Sequence, residues 1–303
     1  MASSAHSLDI QGHRGARGLR PENTLPAFAK ALEIGVTTLE LDCGLTRDGV
    51  VVVSHDSTLN RDITRGPDGK WLDRDGPAIW QLTYDELAGY DVGRIKPGSA
   101  YAARFPRQQA ADGTRIPRLA DLFALARQSG NETVRFNIET KVSPLYPRRT
   151  APPDVFARAL MALIRKEKME RRATIQSFDW RTLAIIQEEA PEITTVYLTA
   201  QQNFMDNIHA GEITSPWMPG LHVSRFDGSI PRMIQAAGGA VWSPSYEEVT
   251  REQIDEAHAL GLKVVVWTVN AEDDIGRMMK LGVDGIISDY PELLRRIAAA
   301  GAD

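Results

Sequence analysis

Three short runs of this sequence combine reactive side chains at regular intervals. Gly12-His13-Arg14-Gly15 sets a histidine beside an arginine. Glu40-Leu41-Asp42 spaces two carboxylates by one residue. Asn137-Ile138-Glu139-Thr140-Lys141 repeats that interval with an amide, a carboxylate and an ammonium. Side chains two apart on a strand point to the same side, so Glu40 and Asp42 share a face, as do Asn137, Glu139 and Lys141. The runs lie in otherwise apolar stretches, where an inward carboxylate is costly unless something pairs with it. One divalent cation serves all three carboxylates. An all-oxygen site suits Mg2+ or Ca2+ rather than Zn2+, which prefers histidine and cysteine. Glu40, Asp42 and Glu139 are therefore the candidate metal ligands.

Beyond Asp42 the chain continues through Thr46-Arg47-Asp48-Gly49 into Val50-Val51-Val52-Val53. Asp-Gly between extended runs signals a hairpin. A two-residue loop would pair Arg47 with Val50 and Asp42 with His55; a three-residue loop shifts the register by one. Either register returns His55 to the carboxylates, and His13 arrives from the neighbouring strand. Two histidines flanking a metal-bound phosphate supply what acid–base catalysis requires. One deprotonates the attacking oxygen and the other protonates the leaving alkoxide. Arg14 and Lys141 offer positive charge to the phosphoryl oxygens. Each piece alone has a plainer reading: an exposed strand for Glu40 and Asp42, a surface ion pair for Glu139 and Lys141. Their coincidence at three successive strand ends argues against those separate explanations. His6, His209, His222 and His258 lie in the N-terminal tail, in loops or on helix faces and take the plain reading.

Eight apolar or β-branched runs must position these groups: 8–13, 37–43, 133–139, 172–176, 194–198, 240–243, 262–268 and 284–288. A helical pattern follows each, the first with Asn23 as N-cap and Leu25, Phe28 and Leu32 on one face. Alternation of this kind marks a parallel sheet with helical crossovers. Eight units predict an α/β fold of the (β/α)₈ TIM-barrel type, one domain over 1–303, with reactive groups at the C-terminal ends of the strands. Two stretches break the rhythm. Residues 56–117 form an insertion after the second strand that should carry its own small structure, and an extended loop covers about 200–228.

The formal net charge of −5 lacks the basic stripe of a general nucleic-acid binder. No apolar run is long enough for a transmembrane helix. The one cysteine, Cys43, precludes an internal disulfide. Met1–Ser7 has no apolar signal core.

Gly12-His13-Arg14-Gly15, Arg20-Pro21-Glu22-Asn23-Thr24, Glu40-Leu41-Asp42, His55-Asp56 and Glu139-Thr140-Lys141 resemble the motifs of the glycerophosphodiester phosphodiesterase family. Gln176-Ser177-Phe178, Trp267-Thr268-Val269-Asn270 and Gly282-Val283-Asp284-Gly285-Ile286-Ile287-Ser288-Asp289 continue the resemblance, in the family's order, from about 10 to 292. Thr140 departs from the commoner aliphatic residue there, on the face away from the site. The resemblance implies a TIM barrel cleaving a small-molecule glycerophosphodiester to sn-glycerol 3-phosphate and an alcohol. It implies metal ligation by Glu40, Asp42 and Glu139, acid–base roles for His13 and His55, and an insertion that sets the head group. A wider resemblance is to phosphodiesterases in which a substrate hydroxyl, here the glycerol 2-hydroxyl, attacks phosphorus before water. The loop pattern resembles that of exported proteins, so the expectation leans to the periplasm. An alternative on the same site is a lysophospholipase D with an apolar channel lined by Trp217, Met218 and Leu221. A second is a silent phosphodiester-binding protein, against which two titratable histidines argue.

Overall fold

The computed structural model describes residues 8–301, so His6 lies outside the described residues. Strand β1 (Asp9–Gly12) leads through helix α1 (Leu25–Ile34) to β2 (Thr38–Leu45), which turns back as β3 (Val51–Val53). The following segment carries two short helices, α2 (Tyr84–Leu87) and α3 (Ala100–Arg104), before α4 (Leu119–Gln128). Strand and helix then alternate through β4 (Arg135–Thr140), α5 (Pro153–Lys166), β5 (Ala173–Ser177), α6 (Trp180–Glu189) and β6 (Thr194–Thr199). A small ladder of β7 (Gln201–Gln202) and β8 (Met205–Asp206) interrupts the rhythm. It resumes with α7 (Ile230–Ala236), β9 (Val241–Pro244), α8 (Arg251–Ala259), β10 (Lys263–Val266), α9 (Glu272–Leu281), β11 (Gly285–Ser288) and α10 (Pro291–Ala300).

Strands β1, β2, β4, β5, β6, β9, β10 and β11 pair in parallel in that order, and β11 closes on β1. This is the eight-stranded (β/α)₈ barrel that the alternation predicts. The period of two assigns the faces. Leu39, Leu41, Phe136, Ile138, Val264 and Val266 look outward and pack with helix residues such as Phe28, Phe123 and Phe156 in one core. The interior is divided. Val196, Val241, Val265 and Ile287 from β6, β9, β10 and β11 form an apolar plug. The other half is amide and carboxylate: Asn137 Nδ2 donates to Gln11 Oε1 (3.0 Å) and Gln176 Oε1 (2.9 Å), and Gln176 Nε2 donates to Glu40 Oε1 (2.7 Å). Burying those groups is tolerated because they satisfy one another. No helix of the described residues is long and apolar enough to cross a membrane.

In the hairpin, Cys43 faces Val53 and Leu45 faces Val51. Thr46 N donates to Val50 O at 3.0 Å and Ser54 N to Asp42 O at 2.9 Å. The loop therefore has three residues, and Ser54 rather than His55 stands opposite Asp42. Residues 56–117 gather a separate core of Leu59, Ile79, Leu87, Val92 and Ile116 on Val52 of β3. The expected N-cap needs correcting. Thr24, in extended backbone, caps α1 by accepting from Ala27 N. Asn23 sits at φ 55°, and its amide is committed to Asp42.

Two left-handed glycines separate backbone strain from crowding. A Cβ on Gly15 (φ +86°) would lie 2.7 Å from the Ala27 carbonyl carbon and 2.8 Å from Phe28 N, whereas Gly49 (φ +81°) has open space. Gly49→Ala should cost about 1–2 kcal/mol, the left-handed penalty alone. Gly15→Ala should cost clearly more in denaturant unfolding; equal losses would mean that the loop relaxes around the new methyl.

Candidate active site

The parallel register of β2 and β4 sets Asp42 beside Glu139 and Glu40 beside Asn137. Three carboxylates thereby converge: Glu40, Asp42 and Glu139 each offer an oxygen within 4.8 Å of the others, and all three residues are buried. Neighbours fix their orientation. Glu40 accepts from Arg14 N (2.9 Å) and Gln176 Nε2 (2.7 Å). Asp42 accepts from Asn23 Nδ2 (2.9 Å), and Lys141 Nζ stands 2.7 Å from Glu139 Oε1 and 3.6 Å from Asp42 Oδ1. Burial, then the charge of Asp42, pushes Glu40 well above the ordinary carboxylate range. Burial and Asp42 likewise push Glu139 up to about 7 against the pull of Lys141. Burial would raise Asp42 too, but His55, Arg14 and Lys141 together hold it well below its usual value. Fully ionised, the three carboxylates outnumber Arg14 and Lys141, and a cluster of that kind made only of oxygen donors fits a hard divalent cation.

His13 follows β1 directly. Its Nδ1 lies 2.7 Å from Asp289 Oδ1 and its Nε2 is 3.9 Å from Glu40 Oε2. Asp289 is held by Arg17 (2.8 and 2.9 Å) and by Asn270 Nδ2 (2.8 Å). Burial would raise the Asp289 carboxyl, but Arg17 and His13 keep it far below its usual range. It is ionised, so His13 Nδ1 is the donor and Nε2 carries the lone pair. Burial, with Arg17 adding to it, lowers His13 to about 4. His55 follows the same plan: Nδ1 is 2.8 Å from Asp56 Oδ1, and Asn60 Nδ2 donates to Asp56 Oδ2 at 2.7 Å. Burial, then Arg14 and Lys141, lowers His55 as well.

Arg14 lies at φ 51° in the loop after β1. Its side chain is buried, Nη1 2.5 Å from Glu22 Oε1 and Nε 3.2 Å from Asp42 Oδ2. The Nε–H is off line and makes no hydrogen bond. The inserted segment grips this same loop. The Tyr101 hydroxyl donates to Glu22, Phe105 lies 4.7 Å under the Arg17 guanidinium, and Gln108 Nε2 donates to Arg17 O at 2.7 Å.

His13, Arg14, Glu40, Asp42, His55, Glu139 and Lys141 all open on one cavity of about 720 Å³ at the strand C-termini. Sequence reasoning brought these seven together but gave no role to the groups that hold them, although Asp56, Gln176, Asn270 and Asp289 stand in the quoted motifs. Asp289 could have been found, since it directly follows β11, two residues beyond inward Ile287. Tyr101, in a short helix far along the chain, gave no signal. Trp217 and Met218, expected along an apolar channel, are buried in the main core, and Leu221 packs against it. None lines this cavity.

The family model described as the glycerophosphoryl diester phosphodiesterase family matches residues 13–293. A glycerophosphodiester phosphodiesterase of Caldanaerobacter subterraneus subsp. tengcongensis is 30% identical over 96% of this chain and 98% of its own. A solved chain from Silicibacter pomeroyi DSS-3 superposes with a TM-score of 0.87 at 36% identity, covering 99% of this chain and 95% of that one. An Oleispira antarctica phosphodiesterase, solved with the product sn-glycerol-3-phosphate, shares the fold at 22% identity and a TM-score of 0.69, with 96% of each chain covered.

The raised Glu139 carboxyl has a consequence for stability. A group whose folded value exceeds its ordinary 4.5 stabilises fully below 4.5 and loses that contribution as pH rises through about 7. In chelator, Glu139→Gln should therefore raise Tm by a few degrees at about pH 8 and not near pH 4. Added Mg2+ or Ca2+ should raise Tm more in the unmodified protein than in the variant. A lower Tm for the variant in chelator at pH 8 would mean that the Lys141 pairing outweighs the repulsion.

Proposed function

Since this chain belongs to the glycerophosphoryl diester phosphodiesterase family and is a glycerophosphodiester phosphodiesterase, we propose that it forms sn-glycerol 3-phosphate and an alcohol by acid–base catalysis between His13 and His55. The observation that carries this reading is the matched pair of imidazoles. Each has Nδ1 on a carboxylate, and both residues line the cavity that holds the carboxylate cluster. An imidazole so anchored has a fixed tautomer and a free Nε2, and the carboxylate behind it stabilises the imidazolium that forms.

One histidine takes the proton of the attacking oxygen at Nε2, and the other delivers a proton from Nε2 to the departing alkoxide. Neither is needed as a metal ligand, so each Nε2 stays free to take or to give a proton. A divalent cation, Mg2+ or Ca2+ by its oxygen donors, would be held by Glu40, Asp42 and Glu139 and would polarise the phosphoryl oxygens as a Lewis acid. Lys141 and Arg14 balance the remaining phosphoryl charge, Arg14 with the Nε–H that no protein group accepts. Asp289 and Asp56 are positioning residues in this scheme. Residues 56–117 are an appendage of the single barrel domain, contributing Asp56, Asn60, Tyr101 and Arg104 to the cavity.

His13→Ala and His55→Ala should each lower kcat by roughly 10²–10⁴-fold on a glycerophosphodiester. The pH–rate profile should lose one limb in each variant. A nitrophenyl ester, whose leaving group needs no proton, should rescue the variant lacking the acid and leave the other slow. Near-wild-type rates in both variants would remove the histidines from the mechanism.

A further inference from the structure

Helix α3 is little more than one turn, yet its side chains are fixed. Ser99 caps it by accepting from Ala102 N at 3.1 Å. Buried Phe105 anchors its C-terminal end, with the Arg17 guanidinium 4.7 Å from the ring centroid. The Tyr101 ring meets Phe105 edge on, centroids 5.2 Å apart and planes at 72°. The Tyr101 hydroxyl is therefore placed by packing, and it donates to Glu22. Its oxygen also accepts from Arg17 Nη1 at 3.5 Å, which leaves the one proton for Glu22. Burial, then the Glu22 charge, pushes the Tyr101 pKa up, so that proton stays in place.

Beyond Glu22 lies Arg14. Its backbone is already fixed: Arg14 N donates to Glu40 Oε2 at 2.9 Å, and Asn23 N donates to Arg14 O at 3.0 Å. For its guanidinium, two buried carboxylates compete. Glu22 Oε1 accepts from Nη1 at 2.5 Å, while Asp42 Oδ2 stands 3.2 Å from Nε without a hydrogen bond. A guanidinium turned fully onto Asp42 would give up the Nε–H assigned to phosphate and occupy an oxygen assigned to the metal. Glu22 prevents this only while its own carboxylate keeps still, and the second oxygen of that carboxylate is held by Tyr101.

We propose that Tyr101 is a positioning residue for the hydrolysis: by holding Glu22 it keeps Arg14 off Asp42 and leaves the Arg14 Nε–H free for the phosphoryl group. The proposal rests on the assignment of Arg14 to phosphate above. It gives the insertion a part in phosphate recognition, through a hydroxyl that acts by way of Glu22 and Arg14. Tyr101 also lines the cavity, so direct contact with substrate is the competing role. The two roles differ in one respect. A relay needs Glu22 and Arg14 to have any effect, and a direct contact does not.

Tyr101→Phe deletes the hydroxyl and keeps the ring on Phe105. In excess Mg2+ it should lower kcat/KM on a glycerophosphodiester about tenfold, the scale of a lost hydrogen bond to a charged group. Calorimetry should show sn-glycerol 3-phosphate weakened by a similar factor. In an Arg14→Ala background the same change should do almost nothing in either measurement, because the group it acts on is gone. Glu22→Gln, which preserves shape, is a second background in which the Tyr101 effect should largely vanish, and it decides the matter if Arg14→Ala does not fold. A tenfold loss that persists in these backgrounds would overturn the proposal, since direct contact or general loosening acts without the relay. A silent Tyr101→Phe in the otherwise unmodified protein would overturn it too. A silent Arg14→Ala would sink the phosphate role of Arg14 and the relay with it. Absence of diester hydrolysis would sink the hydrolase reading alone, and the sn-glycerol 3-phosphate measurements would still decide the relay.

Discussion

Three carboxylates buried within 4.8 Å of one another repel, and much of the barrel interior exists to hold them there. Each has an assigned neighbour: a backbone amide and Gln176 for Glu40, Asn23 for Asp42, Lys141 for Glu139. Gln176 is in turn fixed by Asn137, and Asn137 by Gln11. The polar half of the barrel is thus a chain of satisfied groups ending at the cluster. The apolar plug across from it supplies ordinary hydrophobic packing, so the buried carboxylates are confined to one side. A cation placed among the oxygens relieves the repulsion directly, which makes ligand binding and folding stability parts of one balance.

The two histidines solve a related problem in duplicate. Neutral imidazole is favoured by burial and by nearby arginine, while an ionised carboxylate at Nδ1 keeps the charged form within reach. The balance depends on Arg17 as much as on Asp289, since Arg17 holds that carboxylate ionised and also disfavours the imidazolium. Burial lowers the basicity of His13 most, and Arg17, a loop residue, adds to it.

Most of this was legible in the sequence because it lies on regular elements. The period of two identified inward residues on β2 and β4, and the Asp-Gly turn returned His55 to within one residue of its place. The part that was not legible depends on irregular backbone or on distant contacts. Asn23 reads as a helix cap, yet its left-handed φ gives that role to Thr24 and turns the amide toward Asp42. Trp217 and Met218 read as channel-lining loop residues because nothing local shows that the loop folds into the core. Tyr101 reaches Glu22 across 79 residues through the fold alone.

That last contact bears on how the barrel can be rebuilt. Asp56 and Asn60 orient His55, and the stretch from Tyr101 to Gln109 clasps the Arg14–Leu19 loop, Gln109 N bonding Leu19 O at 2.9 Å. The visible insertion is therefore not a detachable module with seams at its ends. Its middle, about 61–99, holds neither His55 nor that loop but is tied to the β2–β3 hairpin, with Arg47 N donating to Leu82 O at 2.8 Å and Ile79, Leu87 and Val92 packing on Val52, so a chimaera spliced there must keep those contacts. Cutting at 56 and 117 would carry away supports of the loop after β1 along with the ornament.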